Sequence, residues 1–407
     1  MVPYLLYIVL TLVLAIRYDG REEGRHKHIW YAVTCVFLIL IAGLRNGVGG
    51  DTLSYKKEFD DTLFLSYTGI AEYLRDNLFT HGRMPLWSMF MTGCRYLSDS
   101  FYLFQFIHAT VVIVPFFYFF KKYTDCYFLC ALLYGAAGYF FLFNTEVLRE
   151  SIAIVCGIFA IQFFLKGGIK GYIGYAIFVI IGILFHVSAG VVLVFPFAQL
   201  IPIRKSTLIL GVLTALVLWF AGDYIVAHLP SFILSRDSSL AQKVTNYAEM
   251  KSNFYGFIFN SLRYICLPYI VMYYSLRKEK DPLLNKHKEG FCAFTLIIGI
   301  CAVGISGFAR INNYTALFYI MALSEFIYLY IYSPRSYFLT RTVVLAGSLL
   351  CLGLFYTSYY PVSRRYHYEF YYPYTSVLDD EYSFNYRYDM HYESTFFDKS
   401  GKLSRTE

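Results

Sequence analysis

The chain has 407 residues, of which 57% are hydrophobic and only 15% charged, with a mean hydropathy of +0.49. Soluble domains carry nearer a quarter charged residues, so the composition excludes a soluble globular protein and indicates an integral membrane protein. The formal net charge of +7 does not call for nucleic acid, because the cytoplasmic loops of membrane proteins collect Lys and Arg.

The first segment, MVPYLLYIVLTLVLAIRYDGR, has no basic leader and no small-residue cleavage site. It is predicted to be a first transmembrane helix and not a cleaved signal. A bilayer span needs roughly 20 apolar residues, with a lower limit near 17. Apolar runs then predict twelve spans, at about 2–16, 29–44, 101–120, 126–143, 148–165, 172–185, 187–201, 207–222, 256–275, 290–308, 313–332 and 341–357. The division at His186 is the least marked, since 172–201 also fits a single kinked segment. With the N-terminus outside, the short loops 17–28, 121–125, 166–171, 202–206, 276–289 and 333–341 lie inside. Each of them holds at least two Lys or Arg, as cytoplasmic loops do. The outside then holds a loop at 45–100, a loop at 223–255 and a tail at 358–407. The expected organisation is a transmembrane domain over 1–357 followed by a tyrosine-rich extracytoplasmic tail over 358–407. Disordered segments are poor in aromatic residues, so at least the first half of the tail is expected to pack onto the outer face.

The nine cysteines form no CxxC pair, and eight lie in or beside apolar segments. They fit the small apolar residues of a membrane core better than a disulfide or zinc framework. The acidic runs FDDT (Asp60, Asp61) and LDDE (Asp379, Asp380, Glu381) match no coordination loop, and no metal or other cofactor is expected. P-loop, dinucleotide and HExxH patterns are absent from the sequence, as is the G-x-S-x-G elbow.

The predicted topology collects several polar residues at one side. Arg45 ends the second span. Glu146, Arg149 and Glu150 sit at the turn FLFNTEVLRESIAIV, His186 at the turn LFHVSAG, Arg263 in FNSLRYICLPY and Arg310 in GFARINNY. Arginine in a membrane helix is costly, by a few kcal/mol at mid-depth, and marks a cavity or a partner. Arginines at outer helix ends also run against the usual charge bias. Guanidinium groups bind phosphate oxygens through paired planar hydrogen bonds, so Arg45, Arg149, Arg263 and Arg310 together suit an anionic ligand such as a pyrophosphate. The plainer readings stay open. Arg149 can cap a turn by pairing with Glu146 or Glu150, Arg45 can pair with Asp51 to hold its loop, and His186 can be a satisfied polar residue.

These residues fall in motifs. LRNGVGGDTLSYKKEF resembles the R-x-x-x-G-x-D-[YT]-x-x-Y signature of the EpsG family of Wzy-like polysaccharide polymerases, with Thr52 where Tyr is common. EVLRESIAIVCGIFAI, LFHVSAGVVLVFP, ARINNYTALFYI and YYPYTSVL resemble further family elements in the same order, over about residues 40–380. The resemblance implies an all-α, polytopic bundle of the GT-C-like kind in a bacterial plasma membrane, with its site facing the extracytoplasmic side. It implies a glycosyltransferase that joins undecaprenyl-pyrophosphate-linked oligosaccharide repeats into capsule, exopolysaccharide or O-antigen. The partners it implies are that lipid-linked donor, the growing glycan, membrane lipid and the chain-length regulator and flippase of the same pathway. Candidate catalytic residues are His186, Asp51 and Glu150, with Glu146 a competing base. Candidate substrate-binding residues are Arg45, Tyr55, Arg149, Arg263, Arg310 and Tyr314. Competing functions are a transporter or flippase of lipid-linked glycans, a sugar-modifying membrane acyltransferase, and a non-catalytic scaffold of a polysaccharide synthase.

Overall fold

The computed structural model describes residues 2–20, 26–60, 72, 84–136, 138–233, 253–277, 279–305, 308–331 and 374–378, with backbone alone for 223–233 and 330–331. Among the described residues, secondary structure is helical apart from one isolated antiparallel bridge between Arg45 and Ser376. The chain forms two compact units, one from Met1–Leu74, Met84–Val155 and Leu352–Glu407, the other from Arg75–Arg83 and Cys156–Cys351.

In the first unit, helix Val2–Tyr18 packs on Tyr127–Ala136, and Lys27–Gly43 packs along Phe101–Tyr123. The contacts explain much of the tyrosine content. Tyr7 is 2% exposed and donates its hydroxyl to the Ala131 carbonyl at 2.9 Å. Tyr31 is buried too and donates to Phe117 O at 2.9 Å. A phenol in an apolar interior needs such a partner, and a helix carbonyl with a spare lone pair supplies one. Gly135 lets the Tyr7 ring approach, since a Cβ there would stand 2.4 Å from Tyr7 Cε1. Asp19, just past the first helix, caps Tyr127–Ala136 by accepting from Phe128 N at 3.2 Å and Leu129 N at 2.8 Å. Those N–H groups have no intrahelical acceptor.

Among the described residues, the region expected as a loop over 45–100 contains the helices Thr52–Asp60 and Pro85–Leu97. Both carry an aromatic residue into a common core. Phe59 and Trp87 are fully buried against Phe104, at ring-centroid distances of 5.5 and 5.8 Å. This apolar cluster is why the segment folds back instead of remaining an open loop.

In the second unit, Lys205–Ile233 runs beside Pro282–Gly304, and Leu267–Leu276 lies against Ala316–Ile331. Pro282 and the Asp281 cap, which accepts from Leu283 N at 2.9 Å, fix the start of Pro282–Gly304. Phe291 and Phe318 stack at 4.5 Å. Lys288, buried to 5% exposure, lies 2.6 Å from both Glu279 and Glu325, so its charge is paired on two sides. Helices Gly168–Phe185 and Lys205–Gly222 leave Ile173, Ile177, Ile180, Leu213, Val217 and Phe220 exposed. Apolar surface of that extent suits lipid and not water.

Among the described residues, helix occupies every expected segment from 2–16 through 313–332, and 341–357 lies outside them. The expected count of about twelve spans is not confirmed. Among the described residues, five helices are long and apolar enough to cross a bilayer, or six if Tyr127–Ala136 and Tyr139–Glu146, bent by 76°, form one span. Val2–Tyr18, Lys27–Gly43 and Val187–Ala198 are apolar but shorter. A π turn at Leu262–Cys266 divides one helix, and 3-10 turns at Val187–Val194 and Phe308–Thr315 begin two others. The expected outer loop at 223–255 also begins later, because helix Lys205–Ile233 continues through residue 233. The chain is a multi-pass membrane protein.

Candidate functional site

The sequence LRNGVGGDTLSY follows the end of helix Lys27–Gly43 in the first unit. Helix ends leave carbonyls without intrahelical donors. Here Ala42 O accepts from Arg45 Nη1 and Ile41 O from the Tyr374 hydroxyl at 3.0 Å. The glycines then turn the chain. Gly47 and Gly49 have φ of 63° and 113°, values that disfavour any side chain. A Cβ on Gly49 would also lie 2.4 Å from Thr145 Cβ. The turn ends in helix Thr52–Asp60, where Thr52 Oγ1 donates to Val48 O at 2.7 Å.

Glu146 holds this turn from the π-helical segment Leu142–Glu146. Its Oε1 accepts from Gly50 N at 2.7 Å and Thr145 Oγ1 at 3.0 Å, and its Oε2 from Asp51 N at 3.2 Å. Successive N–H groups directed at one carboxylate make an anion-holding concavity. Tyr55, 6% exposed, donates to Glu146 O at 3.2 Å and meets Trp87 edge-on at 5.6 Å. Burial raises the Tyr55 hydroxyl to about 12, while the Arg149 charge acts to lower it. The Arg149 guanidinium carbon lies 5.9 Å from the Tyr55 ring centroid.

Arg149 is half-buried at the start of helix Leu148–Lys166. No ion pair joins it to a carboxylate among the described residues, so pairing with Glu146 or Glu150 is not what holds it. The turn before it is pinned by His108, a fully buried residue whose Nε2 lies 3.1 Å from both Leu148 O and Ser151 Oγ. Glu150 is 3% exposed. Arg45 is 2% exposed, and its Nε and Nη2 have no hydrogen-bond partner among the described residues. Burial lowers its guanidinium to about 10, opposed by the nearby Tyr4 and Tyr374 phenols and by Glu146, so it stays cationic at neutral pH. Asp51 is exposed, and no ion pair joins it to Arg45 among the described residues.

The second unit holds the other candidates. Helix Gly168–Phe185 ends at His186, whose extended backbone (φ −157°, ψ 126°) starts the 3-10 segment Val187–Val194. His186 Nδ1 lies 2.5 Å from Ser188 Oγ, which lies 2.9 Å from the Tyr314 hydroxyl. Ser188 N also donates to His186 Nδ1 at 3.4 Å. An N–H always brings its own proton, so Nδ1 is the accepting nitrogen and the neutral ring carries its hydrogen on Nε2. Tyr314 is 4% exposed. Arg310 is exposed on the 3-10 segment Phe308–Thr315, and Arg263 is half-buried in the π turn with its guanidinium carbon 4.4 Å from the Tyr264 ring centroid.

The four arginines thus fall two in each unit, with Arg45 and Arg149 in the first and Arg263 and Arg310 in the second. The structure brings together Asp51, Tyr55 and Arg149 around Glu146, and His186 with Tyr314 through Ser188. Sequence reasoning misses Ser188 as a site residue, although the F-H-x-[ST] spacing carries it. It finds Glu146 as a possible base but not as the anchor of the glycine turn, because a contact 96 residues apart leaves no local trace. Among the described residues, no group of three or more His, Cys, Asp or Glu is placed to hold a metal ion. Among the described residues, none of the eight cysteines forms a disulfide, and all are buried or partly buried. Lys56 lies 2.5 Å from Asp60, while Asp61, Asp379, Asp380 and Glu381 lie outside the described residues.

The model of the EpsG family matches residues 28–376 of the chain, a stretch that takes in the glycine turn, Glu146, Arg149, His186 and Tyr314. Neither a comparison with curated proteins nor one with solved structures finds a match.

Proposed function

The chain belongs to the EpsG family, and from that premise we propose that it is a membrane polysaccharide polymerase. Its substrate is an oligosaccharide repeat carried on undecaprenyl pyrophosphate, and its site faces the outside of the bacterial plasma membrane. Chain-length regulator and flippase of the same pathway are the partners this reading assigns. One observation carries it. The glycine turn of the family signature directs Gly50 N–H and Asp51 N–H at a carboxylate, and Arg149, three residues beyond that carboxylate, has no ion pair among the described residues. The turn's own donors are taken up by Glu146, and the half-buried arginine beside them suits a pyrophosphate.

In the reaction, an acceptor sugar hydroxyl attacks the anomeric carbon of the donor. The bond from that carbon to the pyrophosphate oxygen breaks, and its electron pair leaves with the pyrophosphate. Arg149 stabilises the charge that develops there, a role fixed cations perform without reorganisation, and Arg45 adds to the positive field. The attacking hydroxyl loses its proton to a base. His186 is favoured through a relay: the proton passes to the Tyr314 hydroxyl, which gives its own to Ser188 Oγ, and Ser188 gives its proton to His186 Nδ1. Glu150 is 3% exposed, and Glu146 is engaged by two backbone N–H groups. Asp51, exposed at the turn, orients the sugar.

Replacing Arg149 by alanine is expected to leave the protein in the membrane but stop polymer growth, so that a deletion strain carrying the variant accumulates single repeats on the lipid. Long chains of normal length with the variant would overturn the pyrophosphate role. A transporter reading has one observation in its favour, the 76° bend between Tyr127–Ala136 and Tyr139–Glu146, since transporter sites are built on broken helices. It predicts that the deletion strain retains its repeats on the inner leaflet, whereas the polymerase reading places single repeats outside.

A further inference from the structure

The described segment Tyr374–Leu378 lies far along the chain from the glycine turn, yet it is joined to the turn's leading edge. Asn46 N donates to Thr375 O at 2.8 Å, and Thr375 Oγ1 donates back to Asn46 O at 2.7 Å. Val377 N donates to Leu44 O at 2.9 Å, closing an antiparallel bridge between Arg45 and Ser376. The Tyr374 hydroxyl reaches Ile41 O at 3.0 Å, and its ring meets Tyr4 at 5.4 Å. Thr375 has no exposed surface. On its other side Asn46 accepts from the Tyr102 hydroxyl at 3.1 Å. Residues 44–46 are therefore held by an isolated antiparallel bridge where a helix end would otherwise be flexible.

We propose that Tyr374–Val377 is a positioning strap for the turn Gly47–Asp51, with Thr375 as its fixed point. The turn is then held at both ends. The strap fixes residues 44–46, and Glu146 fixes residues 50–51. Without the strap, Arg45 and Asn46 would keep their side contacts with Ala42 O, Gln105 and Tyr102 but lose the backbone pairing that sets the course of the chain into the turn, and with it the placement of Tyr55 and Arg149 around Glu146. Preorganised donors act only when held in place before the reaction, so the strap contributes to turnover without touching substrate. For its activity arm, this inference rests on the polymerase reading. Its structural arm does not.

Three variants test it. Thr375→Val keeps the side-chain shape and removes the hydroxyl that Asn46 O accepts from, while Thr375→Ser keeps the hydroxyl. Val377→Pro removes the N–H that Leu44 O accepts from, at a position 37% exposed, which spares the core. Amide hydrogen exchange of purified full-length protein in lipid nanodiscs is followed over residues 44–51, with residues 152–161 as internal reference. Exchange in 44–51 is expected to quicken by about fivefold in Thr375→Val and Val377→Pro, the usual worth of one hydrogen bond, and to stay at the wild-type rate in Thr375→Ser. In a deletion strain, Thr375→Val and Val377→Pro are expected to shorten the glycan ladder at wild-type protein level, and Thr375→Ser to restore it. Unchanged exchange in both disrupting variants overturns the strap. Faster exchange with a ladder of wild-type length overturns its role in positioning. If wild-type protein itself restores no ladder, the polymerase reading fails while the exchange arm still decides the strap.

Discussion

At the scale of single residues, Gly49 shows how closely the signature turn is specified. Two independent constraints meet there. Its φ of 113° excludes a side chain on backbone grounds, and a Cβ would stand 2.4 Å from Thr145 Cβ and 2.7 Å from Thr52 Oγ1. Gly49→Ala is therefore expected to cost about 1–2 kcal/mol from backbone strain alone, with overlap adding to it. Gly93→Ala is the control, because a Cβ there meets nothing within 4 Å and alanine suits the helix Pro85–Leu97 better than glycine. Thermal unfolding in detergent and the glycan ladder should both separate the two, with the Gly49 variant less stable and short-chained and the Gly93 variant at or above wild type. In the sequence this turn is marked by its glycines and Arg45. Nothing there signals that Arg45 is 2% exposed, because burial is decided by Tyr4, Tyr374 and the strap, residues remote along the chain. The expectation that Arg45 meets an anion directly remains a proposal, and Arg149 is the better exposed of the two in that unit.

At the scale of elements, helices are legible in the sequence and their interruptions are not. Apolar runs are a property of composition, and they locate helix at every described segment expected to hold it. The π turns at Leu142–Glu146 and Leu262–Cys266 depend on where one residue too many is accommodated, which hydropathy does not record. Nor does hydropathy show one element capping another. Asp19 serves the N-terminus of Tyr127–Ala136 from 109 residues away. Burial raises its carboxyl from 3.8 to about 7, with the Phe128 and Leu129 N–H groups and Lys27 acting to lower it and Asp125 to raise it. A carboxyl with a folded value above its unfolded value binds more protons when folded. Stability therefore falls as pH rises from about 4 to about 7 and is level above that. Asp19→Asn keeps one oxygen acceptor and cannot titrate. Unfolding midpoints measured from pH 5 to 8 should decline with pH in the wild type and show a shallower slope in the variant. Equal slopes would mean that Asp19 is not the group responsible.

At the scale of the whole molecule, membrane character follows from composition alone, whereas sidedness depends on how many times the chain crosses. The critical element is Val187–Ala198. His186 breaks the preceding helix, as the sequence suggests, and the chain continues as eight residues of 3-10 helix and four of α-helix. At about 2.0 and 1.5 Å per residue, these cover roughly 22 Å, short of the ~30 Å hydrocarbon core. If the segment crosses with help from its flanks, seven crossings separate the region 45–100 from the basic loop 276–289, and the two lie on opposite sides. If it does not cross, six separate them and they share a side. The Lys and Arg of 276–289 favour the first arrangement by the charge rule. Single cysteines at two exposed positions, Ser54→Cys and Lys286→Cys, in a background without native cysteines, decide it. A membrane-impermeant maleimide on intact cells should label residue 54 directly and residue 286 only after permeabilisation. Labelling of both in intact cells would make the crossing number even and return Val187–Ala198 to one face of the membrane. His186, Ser188 and Tyr314 keep their geometry under either outcome, but only the first lets the basic loop stay inside while the glycine turn lies outside.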